Sequence, residues 1–157
     1  MKNINIKNYS TAVPAFKTIS EIEELLAVFG VRRTMKDIDN GQITGLMFTV
    51  IVNDKEVAIK FPVKANKLQE YLYREYIRKT SRPRKDKEDF REQAINSAWR
   101  MAKEWIHIQL SYIQAEQAEI LEVFLPYAVT NLQTQSTLFE DFKNNNLKLL
   151  PEFNSKK

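Results

Sequence analysis

Apolar side chains first recur at helical spacing near residue 20, and capping signals surround them. Residues 20–23 read Ser-Glu-Ile-Glu, a capping box in which Ser20 and Glu23 satisfy each other's backbone amides. Gly30 supplies a left-handed stop at the other end. The apolar face between them consists of Ile22, Leu25, Leu26 and Phe29. This pattern predicts a helix over about 20–29.

Three extended segments follow, over about 31–38, 42–52 and 55–63, with a turn signal in each gap. Asp39-Asn40-Gly41 and Asn53-Asp54 are both typical of tight hairpins. The middle segment is apolar on both faces, as expected of a buried central strand. The order predicts a three-stranded antiparallel meander.

A second amphipathic helix is predicted over about 65–79, and it ends before the breaker at Pro83. The helix, the meander and this second helix together form a predicted α+β head over residues 1–79. A connector over 80–86 and a helical element over 87–126 follow it. The remainder, 127–157, is predicted to hold a short helix starting near Thr137 and then a flexible tail.

The helical element carries two apolar stripes. The first, which repeats every seven residues, consists of Ala94, Ala98, Met101, Trp105, Ile108, Tyr112 and Ala115. The second consists of Ile95, Trp99, Ala102, Ile106, Leu110 and Ile113. An unbroken rod of this length would reach about 60 Å, although a globule of this chain length is only about 40 Å across. The helix either breaks, best at the polar residues 114–117, or projects and packs on another copy through the first stripe. We favour the second alternative.

Charge singles out one segment of the chain. The net charge of the 157 residues is only +4, yet residues 74–87 contain seven basic residues and two acidic ones. Arginine and lysine on an exposed connector neutralise phosphates and release counterions. The predicted phosphate contacts are Arg78, Lys79, Arg82, Arg84, Lys85 and Lys87, with Lys64 and Lys67 at the start of the preceding helix. An acidic protein surface is the next most common partner for such a patch.

Three tyrosines, Tyr71, Tyr73 and Tyr76, precede this segment. Two interpretations of them stay open. Their rings can stack on unpaired bases, or they can lie half-buried on the helix with their hydroxyls in water.

Composition excludes several kinds of chemistry. The chain has no cysteine and one histidine, His107, so neither thiolate chemistry nor a multi-histidine metal site is available within it. We predict no cofactor, no metal and no catalytic residue. No apolar run is long enough to span a membrane and no leader is recognisable, so we expect a cytoplasmic protein.

One enzymatic alternative follows from the order of the elements, which is also that of magnesium-dependent nucleases with a D…(D/E)xK signature. The acidic residues that would hold the metal in such a nuclease are Glu23 or Glu24 and Asp37 or Asp39. Glu56 and Lys60, however, are separated by three residues instead of one, which puts them about 13 Å apart along a strand. We keep the nuclease as a minor alternative.

Six stretches of the chain carry a family resemblance, namely residues 7–11, 19–30, 98–100, 103–106, 109–127 and 137–140. Their sequence resembles that of a small-protein family encoded by bacteriophages and integrated mobile elements of Gram-positive bacteria. The resemblance implies a viral or mobile-element origin and a bacterial cytoplasm. It brings no activity and no functional residues with it.

These features predict a non-enzymatic nucleic-acid-binding protein that contacts phosphates through the connector and self-associates through its helical element. The rival hypothesis is an interaction protein that inhibits a host enzyme or defence complex, because a cationic surface also docks on an acidic groove.

Overall fold

The computed structural model describes residues 4–145 and has an α+β fold, as the sequence predicts. Its helices are α1 (Ala15–Phe29), α2 (Ala65–Lys79), α3 (Arg91–Gln114), α4 (Ile120–Phe124) and α5 (Leu138–Asn144), with 3-10 turns at Glu88–Phe90 and Leu125–Tyr127. Its strands are β1 (Thr34–Asp39), β2 (Gln42–Val52), β3 (Lys55–Lys60), β4 (Val129–Asn131) and β5 (Ser136–Thr137). Within this part of the chain, no helix combines the length and apolar character needed to cross a membrane.

Strands β1, β2 and β3 form the predicted antiparallel meander, with β2 in the centre. Phe48 of β2 pairs with Thr34 on one side and with Ile59 on the other. Because alternate side chains of a strand share a face, Leu46, Phe48 and Val50 enter the core together. Apolar residues of α1 and α3 belong to the same core cluster, so these two helices cover that face of the sheet.

Helix α1 begins five residues earlier than predicted, and the predicted capping box is wrong. Its N-cap is Pro14, which has no side chain able to cap. The Ala15 amide instead donates to Asn96 Oδ1 of α3 at 2.9 Å. Glu23 instead pairs with Lys36 of β1 at 2.8 Å. The end of the helix is as predicted, because Gly30 has a left-handed φ of 102°.

The predicted long helix is interrupted in the stretch that the sequence favours for a break. Helix α3 ends at Gln114, Glu116 adopts a left-handed φ of 56°, and α4 starts at Ile120. Helix α3 packs against α1 and α2 of its own chain. Contacts within the chain therefore account for the buried side of α3. Our preference for an unbroken helix that projects from the head is wrong. Its start also differs, since the 3-10 turn precedes Arg91.

The two stripes of α3 have different surroundings. The second stripe is the core-facing one, and Trp99, Ala102, Ile106 and Leu110 are all buried. In the first stripe, Ala94 is only 1% exposed because it packs against Leu72 and Phe90 of the same chain. Ala94 is therefore not available for the predicted self-association. Ala98 and Trp105 are half-buried, whereas Met101, Ile108 and Tyr112 are exposed.

The last part of the described chain contains a β-hairpin that the sequence did not predict. Strands β4 and β5 pair with each other, and Ala128 forms a bridge to Ile59 at the edge of β3. The short helix predicted near Thr137 is present as α5. Its capping box is complete, because the Glu140 amide donates to Thr137 Oγ1 and the Thr137 amide donates to Glu140 Oε2. The tail is predicted from Asn144 onward, but Asn144 is the last residue of α5 and Asn145 is its C-cap. The rest of the predicted tail, from Asn146, lies outside the described residues.

Candidate nucleic-acid interface

The connector after α2 is exposed apart from its first residue, Thr80, which is half-buried, and the exposed stretch extends from Ser81 to Asp89 in the following 3-10 turn. It turns back along α2 instead of leaving it. The amides of Arg84 and Lys85 donate to the hydroxyl of Tyr76 at 2.9 and 3.3 Å. Further on, Gln69 donates to the carbonyl of Lys87 at 2.9 Å. The sequence places the cations on a loop, and the structure lays that loop against the helix before it.

Four of the predicted phosphate contacts are held in ion pairs by two glutamates of α2. Glu75 pairs with Arg78 at 2.7 Å and with Lys79 at 3.8 Å. Glu70 pairs with Lys67 and with Lys87, each at 3.5 Å. The hydrogen bond from Arg78 lowers the pKa of Glu75, and the charges of Lys67 and Lys87 lower the pKa of Glu70. These glutamates therefore stay ionised near neutral pH and offset part of the positive charge.

The other predicted cations behave differently. Within residues 4–145, Arg82, Arg84, Lys85 and Lys64 form no ion pair. The first three lie together on the connector. Lys64 lies at the N-cap of α2 and lines a groove beside Trp105 and Tyr127. It also lines a second groove, together with Gln69 and Glu88. The structure thus links Lys67 to Lys87 through Glu70, whereas no ion pair within residues 4–145 links Lys64 to either.

All three tyrosines of α2 are half-buried. Tyr73 and Tyr76 pack on Phe90, with ring centroids 6.1 and 5.3 Å away. The guanidinium of Arg74 lies 5.6 Å from the ring centroid of Tyr71. Lys85 reaches the same aromatic group, since its ammonium lies 5.8 Å from the Phe90 centroid. Of the three tyrosines, Tyr76 contacts the connector directly, through the amides of Arg84 and Lys85.

A cleft of about 540 Å³ opens between α2 and the N-terminal segment. We call it the tyrosine cleft. Its lining includes Ile6, Tyr9, Tyr71, Tyr76, Arg78, Lys79 and Phe90. Sequence reasoning missed Tyr9 as a site residue, because Tyr9 joins the tyrosines of α2 only in the folded chain. The only signal in the sequence was its place in a stretch of the resemblance.

Polar contacts with α3 hold the N-terminal segment in place. The Ser97 hydroxyl donates to the carbonyl of Asn8 at 2.9 Å, and Gln93 donates to the carbonyl of Tyr9 at 2.7 Å. Asn8 donates to one oxygen of Glu104, and Lys7 pairs with the other, both at 2.8 Å. The ion pair with Lys7 and the hydrogen bond from Asn8 lower the pKa of Glu104. Two stretches that carry the resemblance, 7–11 and 103–106, therefore contact each other, and their polar residues have a structural role.

The residues of the nuclease alternative make other contacts. Glu56 pairs with Arg33 at 3.1 Å, while Asp37 accepts a hydrogen bond from Gln135 at 3.1 Å. Lys60 donates to the carbonyl of the same Gln135 at 3.3 Å. Across residues 4–145, no group of three or more histidine, cysteine, aspartate or glutamate side chains is arranged to hold a metal ion. His107 is exposed on α3.

Comparison of the chain with known protein families, with curated proteins and with solved structures finds no match. The structure defines a small α+β protein in which three cations without an ion pair among residues 4–145, Arg82, Arg84 and Lys85, lie on one exposed connector. An aromatic cleft lies next to it, between α2 and the N-terminal segment.

Proposed function

We propose that this protein binds nucleic acid without cleaving it and that the connector contacts the phosphates. The observation that carries the proposal is the group of three exposed cations, Arg82, Arg84 and Lys85, which have no ion pair within residues 4–145. A cation that has no ion pair binds a phosphate without first breaking a contact with a carboxylate. Neutralised phosphates release counterions, so the affinity must fall as salt rises.

The backbone supports this assignment as much as the charge does. Two amides of the connector are fixed on the Tyr76 hydroxyl. A loop held in this way loses less conformational entropy on binding than a free one would. Arg78, Lys79, Lys67 and Lys87 have a secondary role, because a phosphate must compete with Glu75 or Glu70 for each of them.

A triple charge reversal tests the proposal. We expect Arg82→Glu, Arg84→Glu and Lys85→Glu together to weaken binding of labelled oligonucleotides by at least tenfold, as measured by fluorescence anisotropy. The slope of log affinity against log salt should decrease by about 2 to 3, close to one for each cation removed.

The matched control reverses three exposed cations elsewhere, Arg32, Lys55 and Lys143, which have no ion pair within the described residues. Both variants have the same net charge, so a loss confined to the connector variant assigns the effect to position. Equal affinity of the wild type and the connector variant would overturn the proposal.

The rival occupant of the connector is an acidic host protein. If the wild type binds neither DNA nor RNA, single-stranded or double-stranded, at low salt, the nucleic-acid proposal fails. A host protein recovered in stoichiometric amount from nuclease-treated bacterial lysate, and lost with the connector variant, would then support the inhibitor. Both candidates share the proposed phage or mobile-element origin and the bacterial cytoplasm.

Self-association is a separate part of the proposal. It is now limited to the exposed part of the first stripe, namely Met101, Ile108 and Tyr112. Met101 also borders an apolar groove of about 390 Å³, whose lining includes Val63, Leu68 and Trp105. A second copy that covers this strip would remove apolar surface from water, which is the favourable term in most protein association.

A further inference from the structure

We infer that the tyrosine cleft holds an unpaired base, so that the protein prefers single-stranded nucleic acid to duplex. The inference rests on the proposed function, because the connector supplies the phosphate contacts that bring a strand to the cleft. It adds the substrate class, which the charge of the connector leaves open.

The cleft has an aromatic lining that is suited to a flat ligand. Phe90 and Leu72 are buried against α3 and belong to its lining. Tyr71 and Tyr76 are half-buried and both line the cleft. Tyr9, on the N-terminal segment, is 53% exposed. Bases stack on aromatic rings whatever their sequence, because every base has a π-face.

Tyr9 is held in place although its ring is exposed. Its carbonyl accepts a hydrogen bond from Gln93, and the preceding carbonyl, that of Asn8, accepts one from Ser97, so the backbone that carries the ring is tied to α3 at two points. An exposed ring on a fixed backbone loses little freedom on stacking. This arrangement differs from that of an aromatic residue on a loose terminus, which would have to be ordered first.

The charges at the cleft fit a nucleotide better than they fit an apolar peptide. Arg78 and Lys79 belong to its lining, and the Lys85 ammonium lies 5.8 Å from the ring centroid of Phe90. Glu75 also lines the cleft, but Arg78 holds its carboxylate at 2.7 Å. A base inserted between the rings would therefore have cations close to its phosphates.

A duplex cannot use the cleft in the same way. Its bases are paired and stacked inside the helix, and extracting one costs a few kcal/mol. An unpaired base is already available for stacking. Duplex binding is thus expected to depend on the connector alone, whereas single-strand binding depends on both the connector and the cleft.

The test is the Tyr9→Ala variant of the full chain, titrated with a labelled single strand and with the duplex of the same sequence. We expect single-strand binding to weaken by about fivefold or more, and fivefold corresponds to about 1 kcal/mol. Duplex binding should change by less than about twofold. Tyr9→Phe, which keeps the ring, should retain the single-strand affinity.

The matched control is Phe139→Ala on α5, which removes a ring that is 51% exposed and lies outside the cleft. It should leave both affinities unchanged. Thermal melting of each variant, followed by circular dichroism, shows whether the fold is retained. Should Tyr9→Ala fail to fold, Tyr71→Leu gives the same comparison from the α2 side of the cleft.

The two proposals fail in different ways. If the wild type binds single strand and duplex equally and Tyr9→Ala changes neither, the cleft inference is wrong. The connector proposal still holds in that case, provided that the triple charge reversal removes both affinities. If no nucleic acid binds to the wild type, both proposals fail, and a protein partner becomes the occupant to seek.

Discussion

Single side chains in this protein hold together segments that are far apart in sequence. Glu104 is the clearest case, because its two oxygens meet Asn8 and Lys7 from the N-terminal segment. The segment carries Tyr9, so a contact made by Glu104 also helps to position the cleft. Glu21 has a similar role between α1 and α3, where it pairs with Arg100 and Lys103.

The lowered pKa of Glu104 predicts a pH-dependent contribution to stability. A carboxylate whose pKa falls on folding stabilises the native state above its ordinary value of 4.5. That contribution is lost as the pH falls through the lowered pKa. Glu104→Gln should therefore reduce the free energy of unfolding by about 1 kcal/mol near pH 7, and the difference from wild type should shrink below pH 4.5.

Urea unfolding at a series of pH values measures this difference. Glu24→Gln is the control, since Glu24 is exposed and has no ion pair within residues 4–145. A difference that stays constant from pH 7 down to pH 3 would contradict the assignment of the ion pair.

At the scale of elements, α3 organises the head. It buries one stripe in the core, supports the N-terminal segment through Gln93 and Ser97, and caps α1 through Asn96. In most helices the side chain of the N-cap residue accepts this hydrogen bond, but here the acceptor for the Ala15 amide is Asn96 Oδ1 of another helix. The position of α1 therefore depends on tertiary packing.

Removing this cap should loosen the start of α1 without breaking the fold. Asn96→Ala leaves the Ala15 amide without its partner, and loss of an N-cap acceptor costs about 1 kcal/mol. Amide hydrogen exchange in the first turn of α1 should become faster, whereas exchange at the Gly30 end should stay unchanged. Equal exchange throughout α1 in the variant and the wild type would show that Asn96 does not cap the helix.

At the scale of the whole molecule, the described chain leaves two kinds of surface exposed in different places. Arg82, Arg84 and Lys85 lie on the connector, and Arg78 and Lys79 line the tyrosine cleft. The exposed apolar residues Met101, Ile108 and Tyr112 follow the outer side of α3. A self-associated protein would present several connectors to one nucleic acid, and linked sites bind more tightly than separate ones.

Light scattering tests the self-association. We expect a mass that is a multiple of the 18.5 kDa of one chain, and Ile108→Glu should return it to a single chain because it places a charge in the apolar strip. Val28→Glu, at an exposed apolar position of α1, is the control. A wild-type mass of one chain over a wide concentration range would exclude this part of the proposal.

The sequence by itself determined the elements whose signals are local. The meander, the α2 bounds, the glycine stop of α1 and the start of α5 near Thr137 follow from hydrophobic period, turn residues and neighbours within four positions. The position of the break in the long helical pattern also followed from its polar residues. The positive charge of the connector could be predicted without the structure, because it depends only on residues that are adjacent in sequence.

Only the tertiary structure decided what depends on distant partners. It selected the core-facing stripe of α3, because the choice between two adjacent apolar stripes depends on which one meets α1 and the sheet. Asn96 of α3 caps α1 only because the two helices pack together. Glu70 and Glu75 pair with some of the predicted phosphate contacts and leave others without an ion pair. Tyr9 lies beside the tyrosines of α2 only in the folded chain. Each of these outcomes is a contact between segments separated along the chain, and no local pattern encodes such a contact.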